Sequence, residues 1–194
     1  DRLGTIMRTW LDVFERPRPA FAVRDREVQT DLALGDLTFR LRIDRVDQLA
    51  DGGVAIIDYK SGHSPVAAHW FRPRPAGTQL GLYALALRAS QPDQAIRAVA
   101  YARLKAGEIG LVGLAADAQA WPGVPAVESR KSLPVASWSE VESHWQTAYG
   151  ALADAFRGGA AAVAPSGAAV CERCRMQALC RIRGGQDEPD DGDD

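Results

Sequence analysis

Residues 37–60 read LTFRLRIDRVDQLADGGVAIIDYK, and this stretch decides the fold. Apolar and polar residues alternate over its first eight positions, which is typical of a β-strand with one buried face. Asp51-Gly52-Gly53 is a strong hairpin signal, and the apolar run after it predicts a second strand that ends at Lys60. Because a hairpin turn makes its two strands neighbours, we expect Asp44 to lie close to Asp58 and Lys60.

The flanking sequence predicts further helices and strands. Apolar residues recur at helical spacing before and after the hairpin, and Pro and Gly residues mark the ends of these segments. The order of elements predicts a mixed α/β domain. The predicted elements are a helix at 3–15, strands at 27–34, 37–47 and 54–60, a helix at 78–89, strands at 95–104 and 109–114, and a helix at 137–157.

The composition is that of a globular protein with one core. The chain has 194 residues, of which 46% are hydrophobic and 25% charged, and this argues against wholesale disorder. No stretch approaches the roughly 20 apolar residues of a membrane-spanning helix, so we expect no membrane partner. Acidic residues crowd the last positions, which predicts a disordered acidic tail at 184–194. The rest is mildly basic and rich in Arg, which permits phosphate binding.

Both the start of the chain and its cysteines bear on its origin. The first residue is Asp1, and no signal segment follows it, so we interpret the chain as a piece of a larger protein. All three cysteines lie between residues 171 and 180. An odd number of closely spaced cysteines favours a metal cluster in a reducing compartment over a disulfide framework. We therefore expect a cytoplasmic protein.

Asp44, Asp58 and Lys60 form the main candidate site. Residues two apart in a strand share a face, so Asp58 and Lys60 project to the same side. Two carboxylates from adjacent strands suit Mg²⁺, which usually also binds substrate phosphate. A bound metal would lower the pKa of a water molecule, and the lysine would orient that water or pair with the phosphate. The set therefore predicts phosphodiester hydrolysis, and an ordinary salt-bridged hairpin is the alternative.

Three motifs resemble, in order, the PD-(D/E)XK nuclease domain of the RecB/AddB type. They are Ile43-Asp44-Arg45-Val46-Asp47, then Ile56-Ile57-Asp58-Tyr59-Lys60-Ser61-Gly62, then Gln79-Leu80-Gly81-Leu82-Tyr83. The resemblance covers most of residues 3–183 and looks closest to the C-terminal nuclease region of AddB-like bacterial DNA repair proteins. It implies a restriction-endonuclease-like α/β core at 1–170, with a mixed central sheet flanked by helices, and a cysteine-cluster segment at 171–183.

The same resemblance implies roles for the motif residues. Asp44 and Asp58 would bind Mg²⁺ or Mn²⁺, with the backbone carbonyl of Tyr59 as a third ligand. Lys60 would be the catalytic lysine. Gln79, together with the residue four positions later on the same helical face, would support the site or contact DNA.

Four further residues are candidates with open alternatives. Tyr83 is the residue four positions after Gln79, and the alternative is that it packs in the core. Glu27 matches an upstream Glu common in the family and would be an auxiliary site residue, or else an exposed acid at a strand end. Arg72 and Arg74 precede the helix and would line a DNA path beside the site. A solvated loop is the alternative for these two arginines.

The cysteine spacing resembles the iron–sulfur staple of AddB-type nucleases. Cys171, Cys174 and Cys180 supply three thiolates, whereas a [4Fe–4S] cluster or zinc needs a fourth ligand. In the family that ligand is an upstream cysteine, but residues 1–170 contain none. We expect a cluster in the full-length protein that is incomplete in this chain. A cluster lost in this lineage, or completed by His or solvent, is the alternative.

Together these observations predict a Mg²⁺-dependent (exo)deoxyribonuclease of recombinational DNA repair. DNA would be the substrate, and a helicase region or subunit would feed it to the site. The sequence has no GxxxxGK[ST] phosphate loop, so we do not expect this chain to be the motor. The alternative is a catalytically inactive DNA-binding or scaffold module that keeps the nuclease fold.

Overall fold

The computed structural model describes residues 2–62, 66–165, 168–172 and 174–180. The predicted acidic tail at 184–194 lies outside the described residues. By internal packing the chain divides into two compact units, Asp1–Asp154 and Ala155–Asp194. No helix in the described part of the chain is both long and apolar enough to cross a lipid bilayer.

The helices and strands follow the order expected from the sequence. A π-helical turn extends the first helix over Leu11–Glu15, and short 3₁₀ helices lie at Ala67–Phe71 and Val127–Ser129. The main elements are α1 (Arg2–Trp10), β1 (Phe21–Leu34), β2 (Leu37–Leu49), β3 (Val54–Lys60), α2 (Gln79–Ser90), β4 (Ile96–Lys105), β5 (Glu108–Ala115), α3 (Trp138–Arg157) and α4 (Ala168–Glu172).

The five strands form one mixed sheet in the order β1-β2-β3-β4-β5. Three neighbouring pairs are antiparallel, and only β3 and β4 run parallel, with α2 in the connection between them. A parallel pair needs a crossover of this kind, because a tight turn can join only antiparallel strands. The predicted α/β fold, with a mixed sheet flanked by helices, is confirmed.

Strand β3 lies at the centre and is buried on both faces. Ile56 packs in a core with residues of α2 and α3, whereas Ile57 packs in a second core with Trp10 of α1. Strands covered on both faces are continuously apolar rather than alternating. This explains why the sequence predicted both ends of β3 correctly. The sheet thus has a hydrophobic core on each side. Asp58 and Lys60 are among the last three residues of β3.

The regular alternation of β2 breaks in the middle of the strand. Ile43 and Val46 pack in the same core, although residues three apart in a regular strand face opposite sides. Arg26 pairs with Arg45 and Val28 with Ile43, so Glu27 of β1 lies across from Asp44. Glu27 has a φ of 52°, a left-handed conformation that is uncommon outside glycine. The alternation predicted from the sequence therefore does not continue unchanged through Asp44.

Candidate active site

Strands β2 and β3 stop pairing at the two predicted metal ligands. The last paired residues are Arg45 and Ile57, so the next opposed residues are Asp44 and Asp58. Instead of a backbone carbonyl, a carboxylate oxygen of Asp44 (Oδ2) accepts the hydrogen bond from the Tyr59 N–H, at 2.9 Å. The side chain of Asp44 thus replaces the missing ladder bond. The hairpin brings the two aspartates together as the sequence predicted.

Asp58 and Lys60 form an ion pair at the end of β3. Asp58 is 1% exposed, and its Oδ2 lies 2.6 Å from Nζ of Lys60. Lys60 is thus the charged partner of this buried oxygen, and the Tyr83 hydroxyl interacts with the same carboxylate. Burial raises the pKa of Asp58 above its ordinary value; Lys60 opposes this shift and the charge of Asp44 adds to it. Lys60 remains 27% exposed and reachable from solvent.

Helix α2 supplies two side chains to the same place. Nζ of Lys60 donates a hydrogen bond to Oε1 of Gln79 at 2.6 Å, and Nε2 of Gln79 donates to the Tyr83 hydroxyl at 2.5 Å. The hydroxyl of Tyr83 also interacts with the Asp58 carboxylate, and burial raises the pKa of this phenol. The contacts run from Asp58 through Lys60, Gln79 and Tyr83 back to Asp58. Tyr83 is buried, as the core reading expected, and it contacts the site as well.

A surface groove leads to this cluster. Arg40, Arg42 and Asp44 line it on one side, and Gln79 and Tyr83 on the other. The predicted auxiliary Glu27 is exposed beside Arg42 and forms a 2.9 Å ion pair with it. Glu27 therefore lies near the groove, but its carboxylate is paired with Arg42. Arg40 and Arg42 were not among the site residues predicted from the sequence, although their alternate positions in the strand were a signal for them.

Two predicted DNA contacts and one new cation lie on other elements. Arg72 and Arg74 are exposed in the loop that leads into α2. On β4, Arg103 is the register partner of Lys60, so both cations point to the same face of the sheet. Arg103 is half-buried, forms no ion pair within the described part of the chain, and has a buried Nε without a hydrogen-bond partner. Arg103 was not predicted from the sequence, because no hairpin fixes the pairing of β3 with β4.

The oxygen atoms at the strand ends fit a hard divalent cation. Asp44, Asp58 and the carbonyl of Tyr59 are the groups that would hold it, because Mg²⁺ prefers oxygen ligands and keeps several waters. The buried Asp58 carboxylate, next to a second carboxylate, supports this fit, since buried negative charges call for nearby cations. Across the described residues, no three His, Cys, Asp or Glu side chains are grouped to hold a metal ion. Asp44 and Asp58 are the two carboxylates that would hold the cation.

The cysteine segment lies in the second compact unit. Cys171, Cys174 and Cys180 are free thiols, and Cys174 is exposed. Within residues 168–172 and 174–180 these thiols do not form a group that could hold a metal. The three residues present do not fit an iron–sulfur cluster, so the predicted [4Fe–4S] cluster has no support here.

Comparisons with known proteins identify a family for most of the chain. The family model described as "PD-(D/E)XK nuclease superfamily" matches residues 1–181. No curated protein matches the chain. The crystal structure of SSO0001 is similar, with a TM-score of 0.42 and 15% sequence identity. The similar region covers 92% of this chain but 66% of that chain, which is less than two thirds of its length. From the family match over residues 1–181, the chain belongs to the PD-(D/E)XK nuclease superfamily.

Proposed function

We propose that this chain is a metal-dependent deoxyribonuclease that hydrolyses phosphodiester bonds in DNA. Members of the superfamily are generally nucleases and typically use divalent metal ions such as Mg²⁺. The observation that carries the proposal is the pairing of the buried Asp58 carboxylate with Lys60, beside Asp44 where β2 and β3 separate. Two carboxylates and one partly exposed ammonium group thus lie at a single strand end.

The side chains divide the chemistry between them. A divalent cation at Asp44 and Asp58 would stabilise charge on the phosphate and lower the pKa of a water molecule. Lys60 has three N–H donors, of which one is used by Gln79 and one faces Asp58. The third is left for a phosphate oxygen or for the attacking water. Gln79 fixes the direction of the ammonium group, because its own amide is anchored on Tyr83.

DNA contacts would come from cations around this strand end. Lys60 and Arg103 project side by side from adjacent strands, and two neighbouring cations repel unless an anion lies between them. A DNA phosphate would supply that anion. Arg72 and Arg74 would contact the backbone further from the cut, where phosphate contacts add affinity without sequence preference.

The motif order supports a narrower proposal about the biological role. The domain would be an exonuclease of the RecB/AddB type that acts in recombinational DNA repair. It would be the nuclease part of a helicase–nuclease, with the motor supplied by another region or subunit. Co-purification of the native protein with an ATP-dependent helicase activity would support this role, and a native protein that digests DNA independently of any helicase would contradict it.

The nuclease proposal is tested by cleavage of end-labelled linear DNA, single- and double-stranded, with Mg²⁺ or Mn²⁺. Lys60→Ala and Asp58→Ala should each lower the rate at least about 100-fold, the lower range for loss of an acid–base group. Lys131→Ala, at an exposed loop position, is the matched control and should cut normally. Full activity in Lys60→Ala would refute the assignment. A wild-type chain that binds DNA independently of Mg²⁺ and never cuts it would favour the inactive scaffold.

A further inference from the structure

A second charged cluster lies on the face of the sheet opposite Asp58 and Lys60. At its centre, Arg45 donates hydrogen bonds to both carboxylate oxygens of Glu15, at 3.0 and 3.1 Å. It also donates to both oxygens of Asp47, at 2.6 and 2.9 Å. Asp47 is 0% exposed and the side chain of Arg45 is 12% exposed. We call this group the far-side cluster; its members are Trp10, Glu15, Arg18, Arg45, Asp47 and Tyr59.

The remaining members fix the two carboxylates from other directions. Nη1 of Arg18 donates to Oδ2 of Asp47 at 2.8 Å, and the guanidinium stacks on the ring of Trp121 at 4.0 Å. Nε1 of Trp10 donates to Glu15 at 2.9 Å. Burial alone would lower the pKa of Arg45, but Asp47 and Glu15 outweigh it and raise that pKa above its ordinary value. Two carboxylates thus balance two guanidinium groups.

Stability alone is a poor explanation for such a cluster. Removing two ion pairs from water costs much of what their attraction returns, and well-packed apolar residues of similar volume often serve equally well. The cluster is therefore better explained by the residue of β3 that it holds in place, Tyr59. Arg45 makes a polar contact with β3, the hydrogen bond from its Nη1 to the hydroxyl of Tyr59 at 2.8 Å, and the ring of Trp10 packs edge-on against the same tyrosine.

Tyr59 is held twice by consecutive residues of β2. Arg45 binds its hydroxyl on the far side of the sheet, and Asp44 accepts its backbone N–H at 2.9 Å. Both contacts lie at or beyond the last paired residues of the β2–β3 ladder, Arg45 and Ile57. They therefore replace the backbone ladder where the two strands separate. Tyr59 also lies between Asp58 and Lys60, so its position sets the backbone of both.

We propose that Tyr59 is a positioning residue, through which the far-side cluster sets the spacing of Asp44 and Asp58 for a divalent cation. The proposal rests on the metal site proposed above. Arg45, fixed by Glu15 and Asp47, holds the Tyr59 side chain, and the Tyr59 backbone holds Asp44. Groups behind metal ligands commonly change metal affinity 10- to 100-fold by orienting those ligands.

The test is Mn²⁺ binding by isothermal titration calorimetry on the intact chain, with Mn²⁺-dependent cleavage measured in parallel. Tyr59→Phe removes only the hydroxyl and should raise both the Mn²⁺ dissociation constant and the Mn²⁺ concentration for half-maximal cleavage about tenfold. Tyr149→Phe is the matched control, because the buried Tyr149 hydroxyl has no hydrogen-bond partner in the described structure. This control should bind Mn²⁺ normally.

A second variant is needed in case the Tyr59→Phe chain does not fold. Glu15→Gln weakens the hold on Arg45 without touching β3, and it should weaken Mn²⁺ binding in the same direction by a smaller factor. Unchanged Mn²⁺ affinity in both folded variants would overturn the proposal, as would equal losses in Tyr59→Phe and Tyr149→Phe. A wild-type chain that binds no Mn²⁺ would overturn it too. A wild-type chain that binds Mn²⁺ but cuts no DNA would instead refute only the nuclease proposal.

Discussion

Nζ of Lys60 and Oε1 of Gln79 lie 2.6 Å apart, in a hydrogen bond that joins the end of β3 to the first turn of α2. Lys60 has four rotatable side-chain bonds, so without such a contact its ammonium group would sample many positions. Gln79 cannot swing away easily, because its amide is in turn bonded to Tyr83. The pair therefore directs a flexible cation toward the carboxylates.

Gln79→Ala should lower the cleavage rate at saturating DNA and Mg²⁺ about tenfold or more, because Lys60 loses the contact that orients it. The Michaelis constant for DNA should change little. Steady-state kinetics on a labelled oligonucleotide would measure both. Gln91→Ala, an exposed position at the other end of α2, is the control. A Gln79→Ala chain with normal rate and weaker DNA binding would show that Gln79 contacts DNA rather than Lys60.

Asp58→Asn should abolish cleavage and yet stabilise the metal-free protein at neutral pH. Burial raises the pKa of Asp58, so the folded state favours the protonated form. This favourable effect is present below the unfolded-state pKa of about 3.9 and is lost as pH rises through the folded-state pKa. Asn resembles the protonated acid, so it avoids the loss at neutral pH.

Thermal melts in EDTA would measure this stabilisation. A gain of 1 kcal/mol raises the melting temperature of a chain of this size by about 2–4 °C, and we expect a rise of that order at pH 7.5. The advantage should disappear toward pH 3. A lower melting temperature for Asp58→Asn at both pH values would contradict the prediction and show that the ion pair with Lys60 outweighs burial.

Gly81→Ala should destabilise the domain, although alanine is normally preferred in a helix by about 1 kcal/mol. A Cβ at position 81 would lie 2.8 and 2.9 Å from the ring carbons Cε2 and Cζ of Tyr149 and would overlap its hydroxyl. Overpacking of this kind costs about 1–3 kcal/mol, so the clash outweighs the helix preference.

Urea unfolding would compare this variant with Gly150→Ala. A Cβ at position 150 of α3 meets nothing within 4 Å, so that variant should be as stable as the wild type or more stable. Adding Tyr149→Phe to Gly81→Ala should recover part of the loss, because it removes the overlapping oxygen. Equal stability of the two glycine variants would show that α2 and α3 can move apart without cost.

Arg103→Ala should weaken DNA binding several-fold and reduce the salt dependence by about one counterion, as expected for one lost phosphate contact. Fluorescence anisotropy in Ca²⁺, with labelled oligonucleotides over a range of salt, would measure both without cleavage. Arg130→Ala is a close control, because Arg130 is also half-buried with an unpartnered Nε. Equal effects of the two substitutions would argue that Arg103 contributes only general charge.

The sequence predicted strand β3 and helix α3 closely, and the reasons are physical. β3 is apolar on both faces and is preceded by a strong turn signal, so its limits were clear. The helix predicted at 137–157 has a capping residue at its start, because the Ser137 hydroxyl accepts a hydrogen bond from the Glu140 N–H at 3.3 Å. The first part of β1 was missed because Arg24, Asp25 and their neighbours are charged, and their strand conformation depends on pairing with β2.

The contacts of the site that depend on strands joined by a hairpin could be predicted from the sequence. The contacts that depend on helix packing or on parallel strand pairing could not. A hairpin alone brings Asp44 to Asp58, whereas the link from Lys60 to Gln79 depends on how α2 packs and was expected only from the family resemblance. Arg103 depends on a parallel pairing that no turn specifies. The far-side cluster depends on the packing of α1 and the π-helical turn against the sheet, which alternation within β2 and β3 cannot show.

The contacts of the candidate site join residues that are close together in the sequence. Asp44 and Tyr59 are 15 residues apart, Lys60 and Gln79 are 19 apart, and Gln79 and Tyr83 are four apart. Closing loops of this length costs little entropy and is fast compared with pairing distant strands. During folding, these contacts can therefore form early within one continuous stretch, residues 44–83. On this argument, the addition of β4 and β5 would follow and would bury contacts that have already formed.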